Sequence, residues 1–122
     1  MSDPIAVARV DALELALPRF PVPADQNAGG EPSVGQAALF TVGDAEVGVW
    51  ELGVGAMYDV EVDEVFVVLA GEAVVEVLDG SGLVTERTEL RAGVVCRLTA
   101  GTRTRWAVRR TLRKVYVVGA GA

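Results

Sequence analysis

The chain has 122 residues, a formal net charge of −6 and no histidine. That length suits one domain with a single core, and the missing residue is both the commonest metal ligand and the readiest proton exchanger near neutrality. No apolar run approaches the roughly 20 residues that cross a bilayer, and Asp3 with no basic cluster beside it does not read as a secretion signal; the expectation is an intracellular, cytoplasmic chain with no membrane partner.

Charge is unevenly placed: residues 1–86 carry 16 acidic and 2 basic side chains, and residues 87–122 carry 9 basic and 1 acidic. The basic residues interleave with strand formers, as in Arg103, Arg105, Trp106, Val108 and Arg109, so they read as part of a sheet that pairs with acidic strands of the same barrel or of a partner subunit. No nucleic-acid recognition motif accompanies them, and no nucleic-acid partner is expected.

In chain order, residues 1–17 have no clean period: Val10, Leu13 and Leu17 suit a helix, whereas Leu13, Leu15 and Leu17 suit a strand. Pro4, Pro18, Pro21 and Pro23 bracket the segment and favour an extended arm. Pro18 to Gly35, rich in proline and glycine, reads as an irregular connection on the surface. Residues 1–35 are therefore an arm and connection packed on a barrel formed by residues 36–122. From Gln36 onward, short β-type runs succeed one another: Ala37 to Val42, Glu46 to Leu52, Val65 to Ala70, Ala73 to Leu78, Leu83 to Leu90, Val94 to Leu98, Thr104 to Arg109 and Leu112 to Val118. Gly- and Asp-rich breaks separate them, and the spacing predicts an all-β sandwich or barrel. Asp79-Gly80 predicts a tight hairpin by supplying left-handed backbone at the reversal. Cys96, the single cysteine, lies in an apolar strand and is expected to be a buried, inert thiol.

Glu64, followed after six residues by Gly71, and Gly93, followed after five residues by Thr99-Ala100-Gly101, resemble the paired motifs of the cupin superfamily. Val49-Trp50-Glu51, Asp79-Gly80, Arg105-Trp106 and Arg113-Lys114-Val115-Tyr116 narrow the likeness to small single-domain cupins of the ureidoglycine aminohydrolase cupin-domain type, similar also to the ethanolamine-utilisation cupins. The resemblance covers about residues 30–118. It implies a double-stranded β-helix, or jelly-roll barrel, commonly a homodimer, with a pocket at one mouth. In metal-binding cupins two histidines precede the Glu and a third follows the second turn. Those positions fall here at Tyr58 and Val60, or at Met57 and Asp59 if the loop is one residue longer, and at Thr104. None is histidine, and the remaining oxygen donors are a poor set for a divalent ion, so no metal and no cofactor are expected.

The pocket candidates are Tyr58, Glu64, Thr104, Trp106, Glu51 and Trp50. Glu64 either lines a ligand pocket or caps a turn or pairs with an arginine. Trp106 shares strand parity with Thr104 and either fills the core or offers a stacking surface, and Trp50 carries the same ambiguity. Glu64 and Glu51 are candidate proton-transfer groups, because a carboxyl pushed into an apolar barrel has its pKa raised. The run Asp59, Glu61, Asp63, Glu64 reads as a solvated acidic turn, and Arg113-Lys114 as decoration of the last strand. Three functions follow: a metal-free barrel binding a small organic molecule, an enzyme acting on small nitrogen-containing metabolites, or a structural dimer whose pocket is filled by Met57, Phe66 and Trp106. An extended arm of residues 5–17 would suit the covering of a neighbouring subunit's sheet edge.

Overall fold

A computed structural model describes residues 6–119, which form nine strands and no helix. These are β1 (Phe20–Pro21), β2 (Asn27–Gly29), β3 (Ser33–Val42), β4 (Ala45–Leu52), β5 (Gly55–Val60), β6 (Glu64–Leu78), β7 (Val84–Arg91), β8 (Val95–Leu98) and β9 (Arg103–Val118). No helix among the described residues is long and apolar enough to cross a membrane.

Two long strands organise everything else. Along one edge β9 pairs antiparallel with β5 through Arg103–Val108 and with β4 through Leu112–Val118; along the other it pairs with β6. In turn β6 pairs with β8 through Glu64–Val67 and with β7 through Glu72–Leu78. Each long strand therefore serves two halves of one curled sheet, whose inner faces meet in the core. Between the halves sits Gly71, with φ of +102°, where an added Cβ would collide with the carbonyl oxygen of Thr111. The β6–β9 register slips around that point, between Val68 and Ala70, Ala70 and Glu72, and Glu72 and Ala73, which is how a continuous strand turns a corner. Glycine at this position is needed both for its backbone conformation and for the close strand approach.

The eight expected strands are thus corrected in three ways. Val65 to Ala70 and Ala73 to Leu78 are one strand, as are Thr104 to Arg109 and Leu112 to Val118, because the bend at Gly71 of β6 and the facing residues of β9 shifts the register without ending the pairing. The strand β5 was not foreseen, since Gly53 to Gly55 and the acidic run after it read as turn. Two short strands, β1 and β2, interrupt the connection expected to be irregular. The β6–β7 hairpin is present, but its left-handed residue is Gly82, with φ of +87°, and not Asp79 or Gly80. Asp79 organises that loop from its side chain, accepting hydrogen bonds from the backbone N–H groups of Ser81 and Leu83.

Alternation then fixes the core. Even-numbered residues of β9 from Thr104 to Tyr116, apart from exposed Arg110, are buried, and Phe66, Val68, Val75, Leu52 and Leu90 meet them. Burying a side chain such as Phe66 or Leu112 contributes about 1.5–3 kcal/mol. Cys96 is only partly buried and packs against this core, with burial pushing its thiol pKa up.

The arm beyond residue 5 is neither helix nor strand up to β1. Asp11 Oδ1 accepts the N–H groups of Leu13 and Glu14, making one turn, and Arg113 Nη1 donates to the carbonyl oxygens of Ala12, Leu13 and Leu15 at 2.9, 3.3 and 2.7 Å. Residues 12–15 are thereby held to the outside of their own chain's barrel. Residues 1–5, which include the start of the expected arm, and residues 120–122 lie outside the described residues. Most arginines pair with acidic residues of the same chain, as expected: Arg87 and Arg105 with Glu76, Arg97 with Asp63, and Arg109 and Arg110 with Glu72.

Candidate functional site

The register of β4, β5, β6 and β9 decides which side chains face inward. Trp50 stands opposite Lys114, Met57 opposite Trp106, Asp59 opposite Thr104, and Glu46 and Glu64 both opposite Val118. Directly opposed residues share a sheet face, so these point into the barrel together. Tyr58 pairs instead with Arg105, and Glu51 with Arg113, on the opposite face.

At one mouth these inward residues enclose a cavity of about 320 Å³, lined by Trp50, Asp59, Glu61, Glu64, Trp106 and Lys114 with Glu46, Gln36 and Tyr116 on one side. Lys114 is its centrepiece. Only 4% exposed, it donates from Nζ to Glu64 Oε2 at 2.6 Å. Its ammonium also lies 4.5, 4.3 and 4.7 Å from the ring centroids of Trp50, Phe66 and Trp106. One carboxylate and three π faces thus replace the water that a buried cation gives up.

Glu61, 6% exposed, forms the opposite wall. Its Oε2 accepts the Thr104 hydroxyl at 2.6 Å and the Trp106 indole N–H at 3.0 Å, while Oε1 accepts no hydrogen bond from the described residues. Asp59, partly buried beside it, accepts among the described residues only from the backbone N–H of Val60. Burial first, and then the neighbouring Glu61 charge, push the Asp59 pKa up to about 6, against an opposing pull from Lys114. On the far side Gln36 Nε2 donates to the Tyr116 hydroxyl, which donates to Glu46 Oε2 at 3.1 Å. Burial raises the Tyr116 phenol above its ordinary pKa and keeps it a donor. Gly48 makes room for that hydroxyl, since a Cβ there would overlap it.

Of the six residues singled out from sequence, Trp50, Glu64 and Trp106 line the cavity, and Thr104 is buried behind it as the partner of Glu61. Tyr58 is 43% exposed and borders a shallow outer groove with Arg103 and Leu78. Glu51 is outside too, where it accepts from Arg113 and pairs with Arg19. A one-residue change of parity accounts for both placements. Two expectations are overturned. Glu61 is no solvated turn residue, and Arg113 and Lys114 do not decorate the surface, being 8% and 4% exposed. Lys114 shares the even parity of Thr104 and Trp106, a signal visible in the sequence once β9 is taken as one strand.

The inward pair at the first two family positions is Met57 and Asp59, which with Glu64 and Thr104 would be the donors to a metal. They do not fit one: Met57 offers a thioether, the Thr104 hydroxyl is given to Glu61, and the Lys114 ammonium holds Glu64. Among the described residues no group of three or more His, Cys, Asp or Glu could hold a metal ion.

A curled antiparallel sheet whose two halves wrap one core, with a cavity at one mouth, is the cupin architecture, and the model of the EutQ-like cupin domain matches residues 40–116. The chain belongs to the EutQ-like cupin domain family. Among solved structures it is similar to a putative ethanolamine utilization protein Q from Salmonella typhimurium LT2, with 22% identity, a TM-score of 0.69, and 95% of this chain and 88% of that one covered. The Clostridium difficile EutQ protein is similar at 16% identity and a TM-score of 0.69, covering 92% of this chain and 86% of that one. A predicted oxalate decarboxylase from Thermotoga maritima is similar at 18% identity and a TM-score of 0.63, covering 93% of this chain and 99% of that one. At such identities the likeness establishes the fold alone. No curated protein matches the sequence.

Proposed function

We propose that the chain is a metal-free cupin that binds a small organic molecule in the mouth cavity, with Trp50 and Trp106 as its walls and Asp59, Glu61 and Glu64 as its polar groups. The observation that carries this reading is a preformed space of about 320 Å³ in which a nearly buried carboxyl, Glu61, keeps one oxygen unused. Two indole faces stand beside a lining that is mostly polar, a combination that suits a small polar ligand with a flat or short carbon skeleton. Met57, Phe66 and Trp106 do pack in the core, yet they leave the space above them open.

The test combines metal analysis of the purified chain with thermal shifts against Mn, Zn, Ni, Fe and a panel of small metabolites. Substoichiometric metal, no shift with any of the four metals and a saturable shift with at least one metabolite are expected; a ligand at 100 times its Kd adds about 2.7 kcal/mol to stability. Stoichiometric, tightly held metal would overturn the reading.

A second reading, chemistry on a small nitrogen-containing metabolite, is favoured by Asp59. Its carboxyl faces the cavity, and a pKa of about 6 suits it to accept and return a proton near neutral pH.

A further inference from the structure

The hydrogen-bonding groups of the cavity are out of balance. Among the described residues every side-chain donor group of the wall already makes a hydrogen bond within it: Lys114 to Glu64, Thr104 and Trp106 to Glu61, Tyr116 to Glu46, and Gln36 to Tyr116. What remains open is acceptor capacity, on Glu61 Oε1 and on Asp59. Charge is unbalanced in the same direction. Among the described residues Lys114 is the sole basic residue lining the space, and its charge is matched by Glu64, which leaves Glu46, Asp59 and Glu61 with no cation among those lining residues. The aromatic wall agrees with this, because Trp50 and Trp106 already help to stabilise one ammonium at 4.5 and 4.7 Å from their ring centroids.

We propose that the ligand of this cavity is a small organic cation that donates hydrogen bonds, an ammonium or amidinium group seated against Asp59 and Glu61, with its carbon skeleton along Trp50. This rests on the small-molecule reading above and names the chemical class that such a cavity selects. A carboxylate ligand would meet four carboxyl groups against the one Lys114 cation, which Glu64 already neutralises. A neutral apolar ligand would leave Glu61 Oε1 buried without a partner.

Binding of this kind depends on pH through Asp59. Facing it are Glu61 beyond β5, Glu64 on β6, and Thr104 and Lys114 on β9, with Glu46 of β4 across the cavity. An ionised Asp59 attracts the cation, so affinity should fall as pH drops through about 6.

The experiment titrates the full chain with n-butylammonium, acetamidinium, butyrate and n-butanol at constant ionic strength, following the Trp106 indole N–H resonance and the heat of binding. The two cations should bind saturably and shift that resonance, and butyrate and butanol should not. Glu61→Gln and Asp59→Asn should each weaken cation binding about tenfold or more, a difference read directly from Kd. Glu61→Gln perturbs a buried hydrogen-bonded group, so Asp59→Asn, which orphans no partner, is the safeguard against a folding defect. Asp59→Asn should also abolish the loss of affinity below about pH 6. Binding of butyrate or butanol in preference to the cations, or of other metabolites but neither cation, would overturn the ligand class and leave small-molecule binding standing. Unchanged cation affinity in folded Asp59→Asn would overturn the seat. No binding by any compound in this or the metabolite panel would overturn both readings.

Discussion

Arg113 and Lys114 are neighbours on β9, both nearly buried and both paired with a carboxylate, yet they belong to different parts of the molecule. Arg113 points outward, where it grips Glu51 at 3.1 Å and three carbonyl oxygens of the arm. Lys114 points inward, where it meets Glu64 and three aromatic rings. The chemistry follows the side. A guanidinium, planar with five donors, suits the joining of several acceptors from different segments, whereas a compact ammonium suits a box of ring faces. The pleat thus separates scaffold from site by one residue, with the same strand serving both.

The largest break in this comparison is Lys114→Met. It removes the cation but leaves the largely buried Glu64 side chain without its partner, and losing one member of a buried pair costs about 3–5 kcal/mol. Urea denaturation should show that loss, and the double variant Lys114→Met, Glu64→Gln should recover much of it, because the orphaned charge is then gone. If the single variant loses less than about 1 kcal/mol, the pair is no stronger than a surface salt bridge and the box is not its reason for being there.

Arg113→Ala should break the other side and less severely, by about 2 kcal/mol, because its charge-assisted hydrogen bonds lie nearer solvent and Arg19 still pairs with Glu51. Its distinctive readout is local. Limited proteolysis should cut the arm around residues 12–15 faster than in the parent chain, while binding in the cavity keeps its affinity. Equal loss of ligand binding in the two variants would show that the two faces are coupled and that parity does not divide them.

How much of this the sequence discloses follows the same division. Period-2 runs and Gly-rich breaks reveal the β class and most strands, since burying one face imposes that alternation locally. Lys114 escapes notice because Arg113 beside it blurs the alternation, and because Gly71 and residues 109–111 look like strand ends when they are bends within β6 and β9. That Lys114 is the chain's single lysine, against ten arginines, is a usable clue. Glu61 escapes for a different reason. Its burial depends on Thr104 and Trp106, more than 40 residues away, and nothing local to the run Asp59 to Glu64 distinguishes an inward carboxyl from a solvated one. Tyr58 and Asp59 exchange faces with a single-residue choice of register, which is fixed by pairing with β9 and not by the loop's own composition.

The smallest effect sharpens the inward side and has a definite sign. Asp59 has its pKa raised from 3.8 to about 6, chiefly by burial, so the folded chain holds this proton more tightly than the unfolded chain. Its contribution to stability is fully present below 3.8 and is lost as pH rises through about 6. Asp59→Asn removes that penalty while keeping the shape of the side chain. The variant should therefore be more stable than its parent at about pH 8, and the two should converge on acidification below about pH 4. Asp59 is only partly buried, so solvent screening holds the gain to about 1 kcal/mol. Urea midpoints measured across that range decide it: a difference that does not vary with pH would mean that Asp59 titrates as an ordinary surface carboxyl, and the acidic wall of the cavity would lose its proton-sensitive member.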